Sequence, residues 1–440
     1  MDSNLGNKIK SMRKELKMTQ SQLAQPEMTK SMLSQIENGL ATPSMKNLQL
    51  IAKKLNKPMS YFLEDTSTDM DKARKDNSDE IIVKLQSIDD LIKDDKCKEA
   101  LSYIEDLQSK ISLSSDNKLL GDILYRKGKC LFDADEFDDA ERLLKKAYEI
   151  YLENNSYTEA AKSYIEIASK PWRNFNYEEC ISIYIKAKEI YDKSLNRNTH
   201  FEIELLNDLA AFYSAIGDFD KALANLKDAL DISNTTGVYY KADEIHRLTA
   251  ALCFIKDDVE NYQINIEKAE QFAKFSDNKS VIYYIFAVKV VYENSRGNYK
   301  KALEYLGNMR NAKTNLEHFY YREKAKALYY IGEYEEALDN IKLVDYPSYT
   351  NHRFDYLMLW SSKVYEGLIY SKMNDLGKAL ESIFIGIDNM RILGDSKPLS
   401  FALESASEIY YKLGELEKAY QYLKEAKDMK DIMVKNKIYF

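Results

Sequence analysis

The stretch Gly217-Asp-Phe-Asp-Lys-Ala-Leu223 decides how this chain is read, because the sequence repeats it. It returns as Gly297-Asn-Tyr-Lys-Lys-Ala-Leu303, Gly332-Glu-Tyr-Glu-Glu-Ala-Leu338, Asn374-Asp-Leu-Gly-Lys-Ala-Leu380 and Gly414-Glu-Leu-Glu-Lys-Ala-Tyr420. Weaker copies stand at Asp135-Glu-Phe-Asp-Asp-Ala-Glu141, Phe175-Asn-Tyr-Glu-Glu-Cys-Ile181 and Asp257-Asp-Val-Glu-Asn-Tyr262, and Asp95-Lys-Cys-Lys-Glu-Ala-Leu101 leads the series. Aligned on the alanine, the marks are Ala100, Ala140, Cys180, Ala222, Tyr262, Ala302, Ala337, Ala379 and Ala419. The steps between them are 40, 40, 42, 40, 40, 35, 42 and 40 residues. A near-constant period of this size signals a stack of helical repeats.

One unit explains its own residues. A Gly or Asp before the aromatic ends one helix and starts the next. The small marked residue lets two antiparallel helices approach closely, and a second Ala seven positions on (Ala147, Ala187, Ala229, Ala269, Ala426) repeats the contact two turns later. From the other helix, twelve positions before the mark, Gly128, Ala168, Ala210, Ala250, Val290, Ala325, Gly367 and Ser407 answer it. No helix pair buries its apolar stripe alone, so neighbours must stack. The pattern resembles the tetratricopeptide repeat, with longer helices than the usual unit of roughly 34 residues, over residues 80–440.

Composition agrees. Gly numbers 14 and Pro only 6 in 440 residues, strand-like alternation is scarce, and an all-α chain follows. Tyr is frequent at 34, as helix pairs needing a large residue with a polar tip demand. Cys97, Cys130, Cys180 and Cys253 have no paired spacing and read as repeat-core residues in a reducing cytosol. Met1-Asp-Ser-Asn lacks the basic and apolar regions of a signal peptide, and the longest apolar run, Val281 to Val288, stops at Lys289. A cytoplasmic protein without a membrane partner is expected. Residues 1–65 hold ten Lys and Arg against six Asp and Glu, or +4, which leaves −12 on the remainder of a chain whose net charge is −8. A basic head on an acidic body suggests that only the head meets a polyanion.

The head reads as five helices. Leu5, Gly6, Ile9, Met12 and Leu16 mark the first; Thr19 caps the second, with Gln22 at the capping-box position. Pro26 breaks it, Thr29 caps Lys30 to Glu37, Asn38-Gly39 stops that helix, Pro43-Ser44 opens a fourth through Leu55, and Pro58 to Leu63 makes a fifth. Two short helices around a tight turn inside such a bundle form a helix-turn-helix. Thr19-Gln20, Leu23-Ala24, Ser31, Leu33-Ser34, Ile36-Glu37, Gly39 and Pro43-Ser44 resemble the Cro/C1-type repressors. The usual turn glycine is absent, and the turn is about one residue shorter than in most such domains. That family implies that the second motif helix enters the major groove. By position, Thr29, Lys30, Ser31, Met32, Ser34 and Gln35 would face bases, and Gln20 a phosphate. Arg13, Lys14, Asn38 and Lys46 are expected backbone contacts. Leu23, Leu33, Ile36 and Leu48 read as core. Residues 65–79 are polar and aperiodic, a linker between a domain over 1–64 and the array over 80–440.

In the array, stacked pairs curl into a superhelix whose concave side is lined by the first helix of each pair. Positions fifteen, eleven and eight before the mark should face that groove: Tyr125, Lys129, Trp172, Asn207, Arg247, Asn294, Arg322, Lys326 and Tyr329 are the peptide-binding candidates. Ile165, Ser169, Ala211, Val364 and Ser371 share the register. An inner-face Asn pairs both N–H and C=O of a peptide backbone, and Asn207 is the strongest candidate. Arg247, Arg322, Lys129 and Lys326 suit a carboxylate.

A Cro/C1-type head on a tetratricopeptide body resembles the peptide-sensing, quorum-sensing transcription regulators of Gram-positive bacteria, the PlcR/NprR/PrgX-like group, and most of all its NprR branch. The resemblance implies an all-α chain: a five-helix head, then a right-handed α-solenoid of about nine helix pairs. It implies operator binding set by a short signalling peptide in the groove. Partners would be double-stranded DNA with a pseudo-palindromic operator, the peptide, and a second copy of the chain, with a higher oligomer when ligand is bound. Leu403, Tyr410, Tyr411, Tyr420 and Leu423 are expected at the subunit contact, or Met433 to Phe440 caps the array instead. The rival is a protein-binding regulator that sequesters or helps dephosphorylate a response regulator, for which Gln86 or Gln108 would position water. No Gly-rich phosphate loop or paired His ligands point to an enzyme, metal or cofactor.

Overall fold

The structure is a computed structural model that describes residues 3–26, 28–63, 81, 83–110, 118–309, 317–346, 350 and 352–435. Among them every regular element is a helix. They divide into two compact units, Met1–Lys96 with Glu105–Leu107, and Cys97–Ile104 with Gln108–Phe440. The expected linker and the last residues of the expected C-terminal cap lie outside the described residues.

The first unit carries the head: α1 (Ser3–Glu15), α2 (Gln20–Ala24), α3 (Lys30–Glu37), α4 (Met45–Lys54) and α5 (Met59–Leu63). Local chemistry sets the starts. Thr19 and Gln22 form the expected capping box, and Thr29 and Ser44 accept from the N–H groups of Met32 and Asn47. Ile9, Leu23, Leu33, Ile36, Leu48 and Ile51 fill one core. Gly6 fits because a Cβ there would lie 2.3 Å from the Ile36 carbonyl oxygen, so α1 crosses the end of α3 at backbone contact. A further helix, α6, covers 83–93.

The second unit runs α7 (Cys97–Lys110), α8 (Lys118–Asp133), α9 (Phe137–Glu153), α10 (Tyr157–Glu166), α11 (Ser169–Arg173), α12 (Tyr177–Tyr191), α13 (Thr199–Ala215) and α14 (Phe219–Thr236). It continues with α15 (Ala242–Ile255), α16 (Val259–Phe275), α17 (Lys279–Ser295), α18 (Tyr299–Met309), α19 (Glu317–Ile331) and α20 (Tyr334–Ile341). The last four are α21 (Arg353–Lys372), α22 (Leu376–Arg391), α23 (Lys397–Lys412) and α24 (Leu416–Lys435). Every marked position is the fourth residue of its helix, and all nine are buried.

The answering residue meets the mark as its size requires. Ser407 Oγ donates to the Ala419 carbonyl at 2.7 Å, and Cys180 Sγ to that of Ala168 at 3.6 Å. A Cβ on Gly128 would stand 3.3 Å from the Ala140 oxygen, and one on Gly367 only 2.5 Å from that of Ala379. A side chain meets the opposing backbone there in two pairs, and in two more a glycine leaves no room for one. The turn into each second helix is equally regular. Five positions before each mark, Asp95, Asp135, Phe175, Gly217, Asp257, Gly297, Gly332, Asn374 and Gly414 all have positive φ. Gly, Asn and Asp tolerate that conformation; Phe175, at φ 56, does not do so readily.

Leu403, expected at a subunit contact, is wholly buried in the array's core, whereas Tyr411, Tyr420 and Leu423 are exposed. Cys130, Cys180 and Cys253 are buried core residues, and all four cysteines are free. Among the described residues no helix is long and apolar enough to cross a membrane.

Two helix glycines separate contact from propensity. Gly367→Ala should destabilise the array by about 1–3 kcal/mol through overpacking. Gly307→Ala, in α18 with nothing within 4 Å of the new methyl, should instead gain up to about 1 kcal/mol. Denaturant unfolding of the full chain measures both.

Candidate functional site

In the head, α3 has two faces. Leu33, Ile36 and Glu37 point inward; Lys30, Ser31, Met32 and Gln35 are exposed and Ser34 is half-buried. The expected base-reading residues thus share one outward face of one helix. Thr29 is exposed, with its hydroxyl accepting from Met32 N–H at 3.2 Å. Asn38 and Lys46 are exposed as well, Asn38 accepting from Lys10 Nζ at 3.2 Å.

Arg13 corrects the sequence reading. It is the inner clamp of the head, not a free backbone contact. Its Nε donates to Glu37 Oε1 at 2.6 Å, Nη2 to Glu37 Oε2 at 2.9 Å, and Nη1 to the Met18 carbonyl at 2.7 Å. Gln20 Nε2 also donates to Glu37 Oε2, at 2.9 Å, so the same carboxylate occupies the side chain expected on a phosphate. Burial pushes Glu37 up, but the bonds from Arg13 and Gln20 and the charges of Arg13 and Lys10 outweigh it and hold the carboxyl below its ordinary value. The three interactions tie α1, α2 and α3 together, which fixes the angle at which α3 is presented.

In the array, α8, α10, α11, α12 and α13 line a half-open cavity of about 530 Å³. Six sequence-expected positions line it: Tyr125, Lys129, Ile165, Ser169, Trp172 and Ala211. So do Glu166, Glu204 and Asp208, which the register of fifteen, eleven and eight missed. Glu166 and Asp208 both stand fourteen before their marks, one residue round the helix, and that recurrence was the available signal. The charges are largely matched. Lys129 pairs with Glu166 at 2.9 Å, Tyr125 donates to Glu166 at 3.0 Å, and Lys241 pairs with Glu204 at 3.0 Å. Asp208 is pushed up to about 6 by burial and by Glu204, against Lys241 and the bonds from Tyr184 and Asn207.

Asn207 lies beside this cavity, 8% exposed. Its Nδ2 faces Asp208 Oδ1 at 3.4 Å, and its buried Oδ1 has no hydrogen-bond partner. A flipped amide would set two acceptors against each other, so the orphan is the oxygen.

The other candidates are placed differently. Arg247 is forked onto Glu244 at 2.9 and 2.5 Å. Arg322 and Asn294 are buried, 3% exposed each; Arg322 and the Asn294 Nδ2 bond Glu323 at 2.8 and 2.7 Å, while the buried Asn294 Oδ1, like that of Asn207, has no hydrogen-bond partner. They brace the sixth and seventh pairs from inside rather than displaying a charge or an amide to the groove. Lys326 sits over the Tyr365 ring at 5.6 Å, and Tyr329 packs among Tyr330, Tyr334 and Tyr365. The structure therefore brings the candidates near Tyr125, Lys129, Trp172 and Asn207 together, and takes Arg322 and Asn294 out of the groove. Gln86 is exposed and Gln108 half-buried. No group of His, Cys, Asp or Glu among the described residues is arranged to hold a metal.

Removing Arg13 would leave Glu37 buried beside an empty place. Arg13→Ala should cost about 3–5 kcal/mol. Glu37→Gln in that background should recover part of it. In the intact protein the clamp is worth most above the ordinary glutamate pKa, and is lost as the pH falls through the lowered one; pH-dependent denaturant melts measure this.

Comparison with known proteins agrees with the geometry. Residues 9–62 match the helix-turn-helix family and residues 159–235 a tetratricopeptide-repeat family, neither of them a family of enzymes. No curated protein matches the chain. Among solved structures, the apo form of the quorum sensor NprR from B. thuringiensis superposes with a TM-score of 0.58 at 13% identity, over 81% of this chain and 99% of that one. The Rap conjugation gene regulator of the plasmid pLS20, solved with a Phr peptide, gives 0.51 at 14% identity, over 82% and 97%. Aspartyl phosphate phosphatase F from Bacillus subtilis gives 0.51 at 13%, over 80% and 94%. The chain carries a helix-turn-helix match at residues 9–62 and a tetratricopeptide-repeat match at residues 159–235, and it shares its fold with the quorum sensor NprR.

Proposed function

We propose that the protein is a transcription regulator whose operator binding is set by a short peptide held on the concave side of its array. The observation that carries the peptide half is Asn207: a buried amide oxygen without a donor, next to Asp208, which lines the cavity. A buried acceptor left unmet costs about 1–3 kcal/mol, and a backbone N–H from an extended peptide would meet it. Aromatic walls from Trp172, Phe201 and Phe212 supply apolar area, and Glu166, Glu204 and Asp208 favour hydrogen-bond donors.

The DNA half rests on α3. Its outward face offers Lys30, Ser31 and Gln35 to base edges, on a head of +4. One such head is small, so two copies on a two-fold operator supply the affinity of a specific complex. A protein-directed reading, in which the array acts on a response regulator, draws support from the likeness to aspartyl phosphate phosphatase F.

Two variants separate the halves. Replacing Lys30 and Gln35 by Ala should weaken binding to a specific site by about 1–3 kcal/mol per lost base contact, with helicity and peptide binding unchanged; wild-type gel shifts would reject the reading of α3. Asn207→Ala should lower peptide affinity by about 1–3 kcal/mol while leaving DNA binding without peptide as it was. Calorimetry with the wild-type value would remove Asn207 from the site.

A further inference from the structure

Two parts of the array that are far apart in sequence touch. Tyr177, at the start of α12 in the third pair, meets the start of α21 in the eighth pair, 176 positions later. The Tyr177 hydroxyl accepts from the backbone N–H of Arg353 at 2.8 Å, and His352 Nδ1 accepts from that of Phe354 at 3.0 Å. These are among the first N–H groups that a helix start leaves without an intrahelical partner. A hydroxyl from a distant repeat therefore completes the cap of α21. The rings of Tyr177 and His352 lie 5.6 Å apart, and those of Phe175 and Tyr356 meet edge-on at 5.9 Å.

Three further facts give the contact a shape. Phe175 stands where eight other turns carry Gly, Asp or Asn, and holds the same left-handed backbone at φ 56. A bulky residue in that conformation is strained, and strain of this kind persists where the surroundings enforce it. Tyr177 is 1% exposed, so its hydroxyl is committed to this one neighbourhood. And α13 belongs both to the contact and to the cavity. The Ala211 backbone faces His352 and favours its protonated ring, and the Phe212 ring lies 6.3 Å from Tyr177, while both residues line the cavity.

We propose that Phe175, Tyr177, His352 and Tyr356 form a latch that holds the third and eighth pairs together and opens when the α13 wall of the cavity moves. In a stack whose units touch only their neighbours, curvature is the sum of small rotations and changes gradually. A contact across five pairs makes it a choice between closed and open, because packed interfaces are bistable rather than continuously deformable. The inference stands on this contact alone and does not depend on what fills the cavity.

Hydrogen exchange on the full-length protein tests it from both sides. Tyr177→Phe keeps the ring but removes the acceptor for Arg353 N–H, and should speed exchange across 352–357 about two- to tenfold. Tyr356→Ala, on the other partner, should speed exchange across 174–178 and 209–213. Both variants should show a larger radius of gyration by small-angle X-ray scattering, with the remaining pairs protected as before. Exchange altered only around the substituted residue, or an unchanged radius of gyration, would overturn the latch. If one variant loses protection throughout the array, the other decides by the same two readouts.

Discussion

The array depends on a recurring close approach, shown in four pairs, where a small residue lets the first helix of a pair press against the second. At Gly128, Cys180, Gly367 and Ser407 the opposing atoms are so near that a larger side chain has no room. Close approach lets the larger residues around it, Leu144, Leu226, Ile266, Leu306 and Ile383, reach across and fill each pair's core. The same contact fixes the rotation of the first helix about its axis. That rotation decides which side chains look into the groove. A fold-level constraint of one small residue thus sets the functional surface.

The surface that results is not a uniform charged trough. Near α8 to α13 it is a cavity with aromatic walls and paired charges, and beside it lies an amide oxygen without a donor. Towards α17 and α19 Arg322 and the Asn294 Nδ2 turn inward onto Glu323, and the Asn294 Oδ1 is left without a donor there too. A buried carboxylate with two partners braces the pairs; an unpaired acceptor at a cavity's edge invites a ligand. The aromatic-walled pocket next to Asn207 is the reason the peptide is proposed near the third and fourth pairs.

Much of this was legible in the sequence because it is local or periodic. Thr19, Thr29 and Ser44 announce helix starts through chemistry within three residues, and the head's boundaries follow. The 40-residue repeat carries the pairing, the turns and the buried marks. What was not legible depends on partners the period does not specify. Arg13 looks like any basic residue of a basic head until Glu37, 24 positions on, is folded against it. Arg322 and Asn294 fit the groove register but are drawn inside by Glu323. Asp208 falls one residue outside the register, and one residue on a helix is 100° of rotation. The contact of Tyr177 with Arg353 has no sequence signal, since only the summed curvature of five pairs brings them together.

The central claim is that one molecule couples a groove ligand to a DNA-binding head, with each site biasing the other's equilibrium. Fluorescence anisotropy on DNA from upstream of the protein's own gene, at two salt concentrations, with and without a synthetic peptide encoded by the neighbouring reading frame, tests it most directly. The account predicts a specific, salt-sensitive complex whose affinity shifts when the peptide is added. Specific binding that the peptide leaves unchanged, or no binding to DNA at all, would contradict it.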